Sequence, residues 1–175
     1  MPKLNLLLPP EQNYLPDSLR KLIELSDAPG LGDGPSNEPL RNFLLGSDWR
    51  LEAAAPSPLL FKLCQSGLWL LAGDLDRSHS LSQEINEPEG SFWHGIMHRR
   101  EHDFSNAKYW FRRVDEHPVL DQIADVCGAA YRDPFSFVDA CAQAIGGSTQ
   151  EQRSCKETQW FEWQLLMQYC LKQCG

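Results

Sequence analysis

The sequence predicts an all-α chain of stacked antiparallel helical hairpins closed by a long carboxy-terminal helix. Three observations carry that prediction. Apolar residues recur at helical rather than alternating spacing along most of the 175 residues. Helix start signals (Ser57-Pro58, Asp133-Pro134 and the box Ser148 to Glu151) precede these segments, and glycines follow them. A block of sequence also returns after 29 residues: Gly73–Ile85 aligns with His102–Val114, matching Asp74 with Asp103, Leu75 with Phe104, Leu81 with Trp110 and Ile85 with Val114.

Taken in order, "DSLRKLIEL" reads as a helix with Asp17 as its cap and Leu19, Leu22 and Ile23 on one face. The Gly/Pro/Asp stretch 28–39 reads as a flexible loop, and a short helix follows over "LRNFLLG". Residues 57–118 read as two hairpins, each with an Asp capping its second helix, and 119–147 as a third, degenerate one. The terminal helix is expected over 149–174, and the whole chain is expected to form a single helical domain.

Hydrophobic content of 42% and a net charge of -8 suit a globular protein and argue against nucleic acid or an anionic membrane as partner. One cationic island interrupts the acidity. Phe92–Val114 carries Arg99, Arg100, Lys108, Arg112 and Arg113 against Glu101 and Asp103. No apolar run approaches the roughly 18 residues of a membrane span. The leucines of the first twelve residues are broken by prolines, unlike a secretory leader. With no C-x-x-C pair, the six cysteines read as reduced thiols, and a cytoplasmic location is expected.

The island is also where the histidines gather. On a wheel at about 100° per residue, His98 falls near 40° and Glu101 near -20° from His94. Two imidazoles one turn apart with a carboxylate beyond them make a workable face for a divalent first-row metal (Zn, Fe or Mn). The alternative is a hydrogen-bonded stripe without metal. His79 and His117, on the neighbouring helices, are candidates to complete the set. Gly95 stands where the H-E-x-x-H motif needs its glutamate, so this is not that motif. Phe92, Trp93, Ile96 and Met97 occupy the core arc, and Arg100 falls among them, predicting a structural ion pair with Asp103 or Asp74. Arg99, Arg112, Arg113, Tyr109 and Asn106 are candidates to bind a small anionic ligand.

There is no phosphate-cradling glycine loop and no dinucleotide turn. Adjacent residues diverge by about 100° on a helix, so Ser78-His79 is no nucleophile–base pair. If the chain is an enzyme, metal-assisted hydrolysis or oxygen chemistry at the histidines is the first reading.

The unit from Phe92 to Pro118 resembles tetratricopeptide-type repeats: an aromatic in the first helix, an acidic turn residue before Phe104, the small Ala107, the aromatic Phe111, and Pro118 after the second helix. It departs from them in having His102 where a glycine is expected. That resemblance implies a helical-hairpin adaptor that receives a protein or peptide partner. The segment "FWHGIMHRREHDFSNAKYWFRRV" is also similar to one in an uncharacterised family of microbial proteins, a resemblance that implies no mechanism.

Overall fold

The computed structural model describes residues 14–34, 36–46, 48–53 and 56–173. The leucine-rich amino terminus, Pro35 and Cys174 lie outside them. Nine helices and one 3-10 turn form among the described residues: α1 (Asp17–Glu24), α2 (Glu38–Gly46), α3 (Pro58–Ala72), α4 (Leu75–Ser82), α5 (Pro88–Arg100), α6 (Phe104–Val114), α7 (Pro118–Cys127), α8 (Pro134–Ile145) and α9 (Thr149–Lys172). No helix among them is long and apolar enough to cross a membrane.

Helix starts follow the capping chemistry in the sequence. Ser57 accepts from the Leu60 amide, Asp74 from Arg77 and Asp103 from Asn106, each satisfying a first-turn N–H. Asp133 and Ser148 each close a capping box. Asp17 differs: Pro16 takes the cap position, and Asp17 sits inside the first turn, where its charge faces the positive end of the helix dipole.

α3 packs on α4 and α5 on α6, the two expected hairpins, and α4 against α5 joins them. The next two helices pack through a third. α7 and α8 both lie on α9, and α8 also lies on α6. The long helix, buried along Cys155 to Leu171, therefore takes the place a hairpin partner would have held.

Two glycines permit the close approaches at the centre. A Cβ on Gly67 would lie 2.7 Å from Trp93 and 2.8 Å from Met167, and one on Gly95 would lie 3.0 Å from Phe111. Trp163 donates its indole N–H to the Gly67 carbonyl at 2.7 Å. With α3, α4 and α6 around it, α5 is buried from Gly90 through Arg100.

Two cations at its end are therefore inside the protein. The Arg99 guanidinium is 1% exposed and forms a two-pronged ion pair with Glu162 of α9, with Gln159 as a third acceptor. It also lies over the Phe137 ring at 4.6 Å. Removing one partner of such a pair strands the other charge and costs about 3–5 kcal/mol. Urea unfolding of Glu162→Leu should show a loss of that size. The double variant Arg99→Met/Glu162→Leu should lose much less, since no lone charge stays buried.

Candidate metal centre

Three histidines meet where α4 crosses α5. His79 comes from α4, and His94 and His98 from successive turns of α5; each offers a ring nitrogen within 4.8 Å of the others. Ring centroids are 4.7 Å apart for His79–His94 and His94–His98, and 5.5 Å for His79–His98. His94 and His98 are buried, 1% and 6% exposed, and His79 is half-buried. Neither α5 histidine therefore lines an open groove.

Hydrogen bonds behind the rings assign their protons. The Ser82 hydroxyl donates its single hydrogen to the Ser78 carbonyl at 2.8 Å, so its oxygen accepts from His94 Nδ1–H at 2.9 Å. The His94 Nε2 lone pair is left bare. His98 Nδ1–H donates to the Glu101 carboxylate at 3.1 Å, and Nε2 accepts from the Asn106 amide at 3.0 Å. Such outer partners orient imidazoles that ligate metals and raise their basicity.

Burial, with His98 and His79 alongside, pushes the His94 pKa down to about 3. Burial lowers His98 as well, opposed by the Glu101 charge. Both rings are neutral near pH 7, the state a metal requires. Trp110 covers His94 at a centroid distance of 4.0 Å, and Arg113 lies over the Trp110 ring at 5.2 Å. Ligand nitrogens at about 2.0–2.1 Å from a tetrahedral ion lie about 3.3 Å apart. With ring nitrogens already within 4.8 Å of one another, no pair has to draw together by more than about 1.5 Å. The donor set fits a borderline ion with nitrogen ligands.

The other residues singled out from sequence stand elsewhere. Glu101, expected beside the imidazoles as a ligand, sits behind His98 as its hydrogen-bond acceptor. His117 is apart from the three. Its Nδ1 caps α7 by accepting from the Val119 amide, its Nε2 faces Glu89 at 3.6 Å, and its ring packs on Tyr169. The His117 ring beside it holds the Glu89 carboxyl below the usual range.

Arg99, expected to hold an anionic ligand, is the buried partner of Glu162. Arg100, expected to pair with Asp103, donates instead to the carbonyls of Gly32 and Leu70, while Asp103 caps α6. The cause is that the chain turns sharply after α5: His102 takes a left-handed φ of 64°, which points Asp103 along α6 and away from Arg100. Tyr109, Arg112 and Arg113 are exposed on the outer side of α6.

Ser82 was not foreseen. It lies three residues after His79 on the same face of α4, and the i, i+4 pair Ser78 and Ser82 on a helix bordered by leucines was its only signal. Comparison with protein-family models, curated proteins and solved structures finds no match to this chain.

The depressed pKa of His94 ties stability to pH in one direction. Below the ordinary histidine value near 6.5 the unfolded chain takes up a proton that the folded metal-free chain does not. Stability is thus complete above about pH 6.5 and falls as pH drops toward about 3, by up to roughly 1.4 kcal/mol per pH unit. Melting temperatures of the metal-free protein should decline from pH 7 to pH 5, and His94→Gln should flatten that decline.

Proposed function

We propose that the chain binds one divalent first-row metal ion on His79, His94 and His98, with Glu101 and Ser82 orienting the rings from behind. The observation that carries this is the convergence of three imidazoles whose Nδ1 atoms are taken, at His94 and His98, by a hydroxyl and a carboxylate. That pattern is costly without a cation, since it gathers neutral lone pairs in a poorly solvated place. Three nitrogen ligands leave one coordination position for water or a substrate, the arrangement of catalytic rather than structural zinc sites. Metal-assisted hydrolysis or oxygen chemistry is the class of reaction that such a site serves.

Asn106 has a particular place in this reading. Its amide holds the His98 Nε2 lone pair in the metal-free protein and must release it when an ion binds.

Metal analysis of untagged protein should find one equivalent of zinc, iron or manganese per chain. His94→Ala and His98→Ala should each remove it, and Glu101→Gln should weaken binding by about 10- to 100-fold. A wild-type protein that neither retains nor takes up a stoichiometric ion overturns the proposal. Asn106→Ala should tighten binding by about 5-fold, the worth of one hydrogen bond no longer broken. A loss of affinity there would instead make Asn106 a ligand.

A further inference from the structure

Beyond α5 lies a cleft of about 540 Å3, walled by the α3–α4 junction, Arg41 of α2, Asp33 and the residues that end α5. Arg100 forms part of its floor. It also borders a second cleft of about 340 Å3 on the other side of the loop that precedes α2. This arginine is 3% exposed. Its Nε donates to the Gly32 carbonyl at 3.1 Å and its Nη1 to the Leu70 carbonyl. Among the described residues Nη2 has no acceptor, and no carboxylate reaches ion-pairing distance of the guanidinium.

The contrast with Arg99, one residue away and fully paired, is informative. Arg100 is held by two carbonyls, one of them in the last turn of α3, where the helix dipole is negative, and by the longer-range attraction of Asp33. Burial, reinforced by repulsion from Arg99, brings its pKa down to about 10, so it remains charged at neutral pH. A buried cation with a free donor edge at a cleft is a receptor for an anionic group.

The rest of the cleft selects which anion. Asp74 is neutralised by Arg41 at 3.4 Å and Arg77 at 3.3 Å. Asp76 and Glu101 remain as surplus negative charge around the walls, and Asp33 adds a third carboxylate whose charge is partly offset by Arg100. A simple carboxylate or phosphate would meet three carboxylates, and a simple amine would meet Arg100. A molecule bearing both charges meets a partner at each end.

We infer that this cleft binds a small zwitterion, its carboxylate on the free edge of Arg100 and its ammonium among Asp33, Asp76 and Glu101: an amino acid or a short ω-amino acid. The inference does not depend on a metal at the histidines. Glu101 nevertheless joins the two places, because the carboxylate that faces the cleft also accepts from His98 Nδ1–H. An ammonium bound to Glu101 draws its charge from the His98 ring.

The test is calorimetric titration of chelator-treated, metal-free protein with glycine and γ-aminobutyrate, and with acetate, butyrate and methylamine as one-charge controls. At least one zwitterion should bind one-to-one and about 10-fold or more tighter than its matched acid or amine, the worth of one charge-assisted hydrogen bond. Asp76→Asn should bring its affinity toward that of the matched acid, and Arg100→Gln should weaken it by a similar factor. Should Arg100→Gln fail to fold, Asp76→Asn decides alone, since Asp76 is an exposed first-turn residue of α4. The inference is overturned if no zwitterion binds, if the controls bind as well, or if Asp76→Asn leaves affinity unchanged. His94→Ala, which removes the proposed metal site, should leave zwitterion affinity intact, so the two proposals fail separately.

Discussion

Because α5 is enclosed by α3, α4, α6 and the loop before α2, most of its polar side chains find their partners in neighbouring chain rather than in water, while the Trp93 indole N–H and Arg99 Nε find none among the described residues. An unpaired buried donor costs about 1–3 kcal/mol, and a lone charge more. That constraint accounts for the partners: Glu162 for Arg99, the Gly32 and Leu70 carbonyls for Arg100, Ser82 for His94, Glu101 and Asn106 for His98. These partners lie on α3, α4, α6, α9, the loop and the residue that follows α5. The hydrogen bonds of one helix therefore hold much of the fold in register.

The same enclosure sets the chemistry at the histidines. An imidazole on a solvated helix face exchanges protons near neutrality, whereas His94 is kept neutral well into acid. Ser78 and Ser82 contribute by aligning one hydroxyl on the carbonyl of the preceding turn, which leaves the other side of that oxygen to accept from the ring. Fixing a tautomer in this way turns a flexible base into a directed donor of one lone pair. Trp110 closes the site over His94, and Arg113 lies over the indole. The cationic island of the sequence is thus divided between interior clamps and an exterior rim.

The loop before α2 shows how far the interior controls the surface. Its glycines and prolines read as a flexible connection, yet Arg100 holds Gly32, and Gln159 of α9 donates to the carbonyls of Gly30 and Pro29. His102 lies against Gly32, where an added Cβ would approach Nε2 to 3.3 Å. The loop is one wall of the charged cleft, and Glu101 connects that cleft to the histidines through a single carboxylate.

Sequence by itself determined the helices and five of their capped beginnings, at Ser57, Asp74, Asp103, Asp133 and Ser148, because capping and apolar periodicity are local and need no knowledge of the fold. Asp74 and Asp103 could be read as equivalent caps from their 29-residue offset alone, and they are. Two of the three clustered histidines were legible too, since residues one turn apart share a face of any helix. Only the tertiary structure decided the rest. A helical wheel assumes one wet face, and α5 has none, so the wheel exchanged the roles of Arg99 and Arg100 and placed Glu101 beside the rings instead of behind His98. Which of His79 and His117 joined the pair depended on α4, not the start of α7, crossing that turn of α5. Contacts between residues 15 to 63 positions apart are set by how apolar surfaces nest, and no local spacing encodes them.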